Sequence, residues 1–263
     1  MTFMPGQILT APPDAQGIAR VCISHPAKLN ALSVAMWHQL RQAFEALSAP
    51  GSGARVVIVH GEGGTFAAGG DIEEFPEFRF EPERLRAFHE ETVAPALQAV
   101  LDCSLPVIAQ IEGACVGGGL EIASCCDIRI AGAGSRFGIP IAKLGFPLAP
   151  LEAQMVSRVL PLPLLRELLL EARLLDAAEA LARGVVNRVM PDEQVAQEAT
   201  LSAQRMARLS PQAARLNKIT LRQLAEGGPT PEQRRAHYAY ADSAEHREGL
   251  AAFLEKRPAR FAP

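Results

Sequence analysis

One stretch, in which a buried strand runs through three consecutive glycines into a short helix, constrains the fold of this chain most strongly. Residues 106–112 are apolar enough for a buried strand, Gly117, Gly118 and Gly119 follow, and the next turn carries Glu121. Glycine has no β-carbon, so a ligand can approach the main chain closely there and the backbone can adopt positive φ. The unpaired N–H groups at the helix start can hold an anion or a developing oxyanion. Taken alone, a glycine-rich turn from strand to helix is more often a tight connection than a catalytic site.

The composition is that of a globular protein that contacts neither nucleic acid nor a membrane. The net charge of −3 provides no basic surface for nucleic acid. No uncharged apolar run is long enough to span a bilayer, and residues 1–17 lack the features of a secretory signal. The five cysteines have no framework spacing, which favours the reducing cytoplasm. Without a Cys-x-x-Cys pair or two His residues on one helix face, we expect no metal site.

The order of the predicted elements indicates an α/β core followed by an all-helical end. Apolar or alternating stretches predict strands at residues 17–24, 55–60, 106–112, 127–131 and 135–138. A second glycine-rich loop occupies residues 61–71. From about residue 151 helices follow one another, and capping residues mark helix starts at Ser33, Asp176, Ser210 and Thr230. The predicted boundary between the core and the helical region lies between residues 190 and 191.

Four stretches match, in order, the motifs of one enzyme family. They cover residues 27–32 (Ala-Lys-Leu-Asn-Ala-Leu), 66–71 (Phe-Ala-Ala-Gly-Gly-Asp), 117–129 and 252–257 (Ala-Phe-Leu-Glu-Lys-Arg). On these residues the chain resembles the enoyl-CoA hydratase/isomerase, or crotonase, superfamily over nearly its whole length. The resemblance implies an α/β crotonase-like (ClpP/crotonase) spiral of β-β-α units in residues 1–190, which hold the CoA-thioester site. It implies that residues 191–263 form a helical region that makes homotrimers, often paired as hexamers.

The resemblance also implies a chemistry and a set of site residues. The substrate is an acyl-CoA thioester, as in fatty acid metabolism, so coenzyme A arrives with the substrate and no bound cofactor is expected. The N–H groups of Gly70 and Gly118 form an oxyanion hole for the thioester oxygen, and Glu121 is the catalytic carboxylate. Phe253 and Lys256 contact CoA that a neighbouring subunit binds. The implied substrate-binding positions are Ala27, Lys28, Leu29, Ala68, Gly70, Asp71, Ile72, Gly118, Ile141, Phe253 and Lys256.

The chain departs from the family pattern at Ile141. Hydratases of the family hold a water between two glutamates, and Ile141 stands where the second glutamate belongs. Addition of water needs one group that orients or deprotonates it and another that supplies the Cα proton. Loss of a positioned general acid/base costs ~10²–10⁴ in rate. We therefore expect poor or absent hydration of crotonyl-CoA. Isomerases of the family often use the second glutamate as well, so its loss also affects isomerisation by the usual route.

Three groups are candidates for the missing carboxylate. Glu152 is the possible substitute acid/base, although a first-turn charge on an exposed helix is the favoured interpretation. His89, with Glu90 or Glu91, lies on a helix that borders the acyl pocket in this family, but a solvated face is favoured there. Asp71 is favoured as a helix N-cap. The roles of Lys143 and Arg136, as surface charges or phosphate contacts, stay open.

Several functions therefore remain in competition. Hydratase or other lyase chemistry comes first, and enoyl-CoA isomerase, thioester hydrolase and decarboxylase follow. A non-catalytic acyl-CoA-binding subunit, or a trimer without a ligand, is the alternative of another class. A thiol mechanism through Cys115 is disfavoured because a small core residue explains that position better.

Overall fold

The computed structural model describes residues 5–261, which form nine strands and eleven α-helices. The strands are β1 (Gln7–Ala11), β2 (Ile18–Ser24), β3 (Val56–Gly61), β4 (Val107–Ile111), β5 (Ala114–Val116), β6 (Ile128–Gly132), β7 (Arg136–Gly138), β8 (Leu175–Asp176) and β9 (Arg188–Met190). The helices are α1 (Val34–Ser48), α2 (Pro82–Ala87), α3 (Ala94–Asp102), α4 (Gly118–Cys125), α5 (Pro150–Val156), α6 (Leu162–Arg166), α7 (Ala177–Ala182), α8 (Val195–Ala207), α9 (Pro211–Ala225), α10 (Pro231–His237) and α11 (Ala244–Leu254). Within this range no helix is both long and apolar enough to cross a bilayer.

The main sheet has six strands in the order β1-β2-β3-β4-β6-β9. β1 pairs with β2 in antiparallel fashion, and every other neighbouring pair is parallel. The strand at residues 7–11 was not predicted, whereas the strands predicted near residues 17–24, 55–60, 106–112 and 127–131 are confirmed. Parallel strands buried on both faces read as continuous apolar runs, and this is why β3 and β4 are recognisable in the sequence.

Both faces of the main sheet are covered. Val57 and Val59 of β3 face the larger apolar core, which includes buried residues of α1, α3 and α4. Val56 and Ile58 face the other side, where Ala199 and the other small residues of α8 pack. Successive side chains along a strand point to opposite faces of the sheet, so each strand contributes to two separate apolar clusters.

A second sheet of three short strands has the order β5-β7-β8. The chain passes from β4 of the main sheet to β5 of the second sheet and returns through α4 to β6. After β6 the chain enters the second sheet again, at β7 and later at β8, and it returns through α7 to β9 of the main sheet. This succession confirms the expected β-β-α units. The strands β5 and β8 have three and two residues, too few for a periodic pattern to reveal them in sequence.

The predicted helix starts are confirmed at all four caps. The side chains of Ser33, Asp176, Ser210 and Thr230 each accept a hydrogen bond from the backbone N–H three residues on. Helical structure from residue 82 to 102 is confirmed, with a π-helical turn at Phe88–Val93 between α2 and α3. That turn carries a histidine of the site described below.

The predicted helical region divides into two parts. α8 belongs to the core because it buries Val195, Ala199, Ser202, Ala203 and Ala207. In contrast, α9 to α11 bury a single residue, Ala252. Side chains of α9 fix it to the core: Lys218 Nζ donates to Leu105 O at 2.7 Å, and Arg222 pairs with Asp102. The boundary after residue 190 stays a prediction.

Candidate active site

One pocket, with a volume of about 290 Å³, collects most of the predicted site residues. It lies where the glycine-rich loop after β3 meets the start of α4 and the 3-10 turn at Pro140–Leu144. Its lining includes the predicted residues Ala68, Gly70, Ile72, Gly118, Glu121, Ile141 and Glu152. Residues that are far apart in sequence therefore meet in one cavity.

Among the backbone N–H groups of the pocket wall that make no hydrogen bond within residues 5–261 are two that the sequence singled out. They belong to Gly70 and Gly118, the predicted oxyanion donors. Gly118 is the first residue of α4, so its N–H also lies at the positive end of the helix dipole. A β-carbon on Gly118 would come within 2.9 Å of Cζ2 of Trp37. The glycine therefore lets the aromatic ring pack directly under the candidate donor.

The backbone around these donors needs glycine for two further reasons. Gly69 has φ +111° and Gly117 has φ +52°, both in the region that favours glycine. A β-carbon on Gly119 would lie 2.5 Å from the carbonyl oxygen of Ala67. The glycines of both motifs hold two loops at a separation that side chains would prevent.

The loop at residues 27–29 lies beside the loop that carries Gly70. The N–H of Ala68 donates to Leu29 O at 3.0 Å. Lys28 Nζ pairs with Asp71 at 2.6 Å and with Glu73 at 2.8 Å. Asp71 is also the N-cap of the 3-10 helix Ile72–Glu77, as favoured from sequence. The loops that carry the first two motifs therefore contact each other directly.

Glu121 projects from α4 into the pocket and is 6% exposed. Burial raises the pKa of its carboxyl well above the ordinary value, the negative charge of Glu152 raises it further, and Arg79 opposes the shift. The carboxyl is therefore favoured in its protonated form when Glu152 is ionised. A protonated acid in a dry pocket can donate a proton or a hydrogen bond to a ligand.

Glu152 is not on an exposed helix face, which corrects the interpretation favoured from sequence. It is 2% exposed, lines the same pocket as Glu121, and lies 2.6 Å through Oε1 from Nδ1 of His89. The preference for a solvated His89 is likewise wrong, because this ring also lines the pocket. The error arose because α5 is short and its buried face is set by the π-helical turn packed against it, a long-range contact. Glu90 and Glu91 are exposed, as expected.

Arg79 was not predicted as a site residue. Its guanidinium lies 4.0 Å from the ring centre of Phe75 and 3.8 Å from that of Phe146, and it lines the pocket. Four of the eleven phenylalanines fall between residues 75 and 88. That clustering around an arginine is the sequence signal that could have drawn attention to this segment.

Ile141 is half-buried in the pocket wall, so no carboxylate projects from this position. Phe253 and Lys256, at the end of α11, are exposed and do not line the pocket. Their predicted contact with CoA of a neighbouring subunit stays a prediction. Cys115 is fully buried, and burial raises the pKa of its thiol well above the ordinary value, so the preference for a core residue is confirmed.

Comparison of the sequence with known proteins gives one consistent result. The model of the family described as "Enoyl-CoA hydratase/isomerase" matches residues 14–263. The protein named "Probable enoyl-CoA hydratase echA8" of Mycobacterium tuberculosis is 34% identical over 253 residues, which are 94% of this chain and 95% of that protein.

Solved structures agree along the whole fold. A crystal structure described as an enoyl-CoA hydratase/carnithine racemase from Magnetospirillum magneticum has a TM-score of 0.91 at 39% identity, and covers 100% of this chain and 96% of that one. Enoyl-CoA hydratase from Bacillus anthracis has a TM-score of 0.85 at 26% identity, and covers 98% of this chain and 99% of that one. The likeness therefore extends over nearly the full length of each protein.

Proposed function

Because the chain belongs to the enoyl-CoA hydratase/isomerase family, we propose that it adds water to an enoyl-CoA thioester, or removes it in the reverse reaction, with Glu121 and Glu152 as its two carboxylates. Coenzyme A is part of the substrate in this proposal, and no further cofactor is required. The observation that carries the proposal is the burial of Glu152 in the same pocket as Glu121. A second carboxylate from α5 offsets the loss of the one that Ile141 replaces.

The free N–H groups of Gly70 and Gly118 support the first part of the mechanism. Both line the pocket, and a thioester oxygen placed between them accepts two hydrogen bonds. Negative charge that builds on this oxygen in an enolate-like transition state is stabilised where the surroundings exclude water. Removal of one such donor in other enzymes costs about 10²–10³ in rate. This part is common to hydration, isomerisation and decarboxylation of acyl-CoA thioesters.

The two carboxylates support the second part. A carboxyl group beside another carboxylate keeps its proton more readily, and in this proposal the pair holds one proton. Burial and the charge of Glu152 place this proton on Glu121. In hydration the ionised Glu152 takes a proton from water as the oxygen attacks Cβ, and Glu121 delivers its proton to Cα. The proton count balances, because one proton enters the pair and one leaves it.

His89 supports the assignment of Glu152 as the base. With Nδ1 protonated, its ring donates to Oε1 of Glu152 at 2.6 Å and fixes the carboxylate in one rotamer. The ring stands nearly perpendicular to that of Phe88, with 5.0 Å between their centres, which limits its rotation. His89 is therefore a positioning residue for Glu152 in this proposal.

Isomerisation of a 3-enoyl-CoA is the second candidate, favoured by the position of Glu152. This residue belongs to α5, whereas Ile141 lies in the 3-10 turn that precedes it. A carboxylate delivered from a different element meets a different carbon of the acyl chain. If that carbon is Cγ, Glu121 in its ionised form takes a proton from Cα and Glu152 in its protonated form supplies one to Cγ, which moves the double bond from the 3 to the 2 position. The same pair then moves the double bond instead of adding water.

Two substrates separate these candidates. Hydration of crotonyl-CoA is followed by loss of the enoyl-thioester absorbance, and isomerisation of trans-3-hexenoyl-CoA by its gain. We expect turnover of at least one, and a loss of about 10²–10⁴ in kcat for both Glu121→Gln and Glu152→Gln. If neither these two substrates nor any other enoyl-CoA thioester is turned over although acyl-CoA thioesters bind, the chain is a non-catalytic binding subunit and the proposal is refuted.

We also propose that the chain assembles through α9 to α11. Large apolar side chains on and beside these helices are exposed, among them Leu221, Leu224, Leu250 and Leu254. A monomer rarely exposes so many on one face, and association buries them. Size-exclusion chromatography with light scattering should give the mass of a trimer or a hexamer. The mass of a monomer would refute the proposed assembly through α9 to α11.

A further inference from the structure

Arg79 is a cation in the pocket wall that has no hydrogen-bonded partner for its side chain. Its Cζ lies 4.0 Å from the ring centre of Phe75 and 3.8 Å from that of Phe146. Its Nε is fully buried, and the N–H of this atom donates to no acceptor. Across residues 5–261 no carboxylate forms an ion pair with this guanidinium. Arg79 is half-buried, and its buried Nε–H lacks the acceptor that such a group normally has.

The neighbouring carboxylates do not supply this acceptor. Glu152 and Glu121 act on Arg79 only through their electrostatic field, and they oppose the lowering of its pKa that burial causes. Oε1 of Glu152 is engaged by His89. Glu121 makes no hydrogen bond to the guanidinium, so the field compensates part of the charge and the directional donors stay open.

The aromatic rings decide where these donors point. The ring centres are 5.9 Å apart and the ring planes are inclined by 73°, so the two rings flank the guanidinium at an angle. Contact with both rings restricts the orientation of the guanidinium and leaves its terminal N–H groups for a ligand. The surrounding walls are apolar, with Phe88, Val93 and Leu148 among the lining residues. An aliphatic acyl chain seated there would bury the cation further without providing an acceptor, which is unfavourable.

We propose that Arg79 binds a carboxylate at the far end of the acyl group, so that the substrate is the monothioester of an unsaturated dicarboxylic acid. A carboxylate matches the fixed fork of the guanidinium and balances its charge, whereas a hydroxyl or keto group would leave the charge uncompensated. This inference rests on the proposed function only in that the pocket takes an acyl-CoA thioester. Arg79 is then a specificity-determining residue that contacts the substrate.

The competing explanation is that Arg79 serves only as a counter-charge for Glu121 and Glu152. In that case the residue acts on the two catalytic groups and affects every acyl-CoA by the same factor. Binding of an acyl carboxylate affects only those substrates that carry one. The ratio of two matched ligands, with and without the distal carboxylate, therefore separates the explanations.

The first experiment measures binding and needs no turnover. Titration calorimetry compares glutaryl-CoA with valeryl-CoA and adipoyl-CoA with hexanoyl-CoA, which are saturated pairs of equal carbon number. We expect the dicarboxylic member of at least one pair to bind about 10- to 100-fold more tightly, as for a hydrogen-bonded charge pair. Arg79→Gln should reduce this ratio to about one or below, and Arg79→Lys should retain part of it.

Lys143 provides a matched control. It is an exposed cation that lines the same pocket, and within the described residues it forms no ion pair. Lys143→Gln also removes one positive charge from the pocket, but it leaves the Arg79 guanidinium and its contacts with Phe75 and Phe146 unchanged. We expect this variant to lower the affinity of both members of a pair through the loss of general attraction, and to keep their ratio within about threefold of wild type.

The second experiment measures kcat/KM for trans-2-hexenedioyl-CoA and trans-2-hexenoyl-CoA. A preference for the dicarboxylic substrate that Arg79→Gln abolishes supports the inference. Equal values in wild type for every pair, in binding and in turnover, overturn it, even if Arg79→Gln unfolds. Turnover of both substrates without a preference refutes the inference alone. A preference in binding without any turnover refutes only the proposed reaction.

Discussion

Replacement of Glu152 by glutamine tests whether this chain has rebuilt a two-carboxylate site. Glutamine has nearly the shape of glutamate and keeps a side-chain oxygen for the N–H of His89, so the packing of this 2% exposed residue is preserved. It cannot take up a proton. We expect the loss of ~10²–10⁴ in kcat that follows removal of a general acid/base, which corresponds to about 3–5 kcal/mol of transition-state stabilisation.

The assay compares kcat and KM for wild type, Glu152→Gln and Glu90→Gln on the substrate that proves active. Glu90 is the matched control, because it lies next to His89 in sequence but is exposed and pairs with Arg86. Its replacement should change kcat by less than about twofold, as surface substitutions usually do. KM should stay within about threefold of wild type in both variants, because neither substitution removes a contact with CoA in this proposal.

A value of kcat for Glu152→Gln within threefold of wild type would refute the reasoning. Glu152 would then be a buried structural acid, and Glu121 alone would carry proton transfer. A loss that is equally large for Glu121→Gln, Glu152→Gln and the double variant would instead support a pair that acts as a unit, because effects of such residues do not add.

Three further predictions concern the same pocket. First, Glu121→Gln should raise the Tm at pH 8 by about 2–4 °C per kcal/mol of added stability. The folded pKa of Glu121 is raised, so above pH ~4 the unfolded chain loses the proton that the native state keeps, and the free energy of unfolding of wild type falls. A difference in Tm that persists below pH ~4 would contradict this cause. Second, Gly119→Ala should destabilise by about 1–3 kcal/mol in chemical denaturation, because its β-carbon meets the Ala67 carbonyl oxygen at 2.5 Å, whereas Gly51→Ala, with nothing within 4 Å, carries only the cost of its positive φ. Third, the double variant Ile141→Glu, Glu152→Gln should have a kcat at least about tenfold higher than that of Glu152→Gln alone. No increase would mean that position 141 does not reach the reacting carbons.

Features that depend on neighbouring residues in the chain could be predicted from sequence. Ser33 and Thr230 precede helical patterns and cap them, as local hydrogen bonds require. The glycines at residues 69–70 and 117–119 indicate loops in which another segment or a ligand lies close to the backbone. The apolar runs of β3 and β4 identify parallel strands because both faces of the sheet are covered.

Features that depend on contacts between distant elements could not be predicted. The burial of Glu152 is set by α5 packing near the turn that carries His89, which lies 63 residues earlier in the chain. A glutamate in the first turn of a helix is equally typical of an exposed N-terminus. Likewise, Arg79 contacts the ring of Phe146 because the loop that carries Phe146, 67 residues further along the chain, returns to the pocket. Periodicity contains no information on either juxtaposition.

The energetic cost of this pocket is itself an argument for function. Two carboxylates and a guanidinium in a largely apolar cavity must each lose hydration, and the effective penalty is several kcal/mol per ion. The pairing seen here recovers only part of it, since Arg79 has no carboxylate ligand and Glu121 is driven toward its neutral form. Apolar residues of similar volume would give a more stable protein. We therefore expect a ligand that completes the hydrogen bonds of Glu121, Glu152 and Arg79 to stabilise the protein, measurably as an increase in Tm.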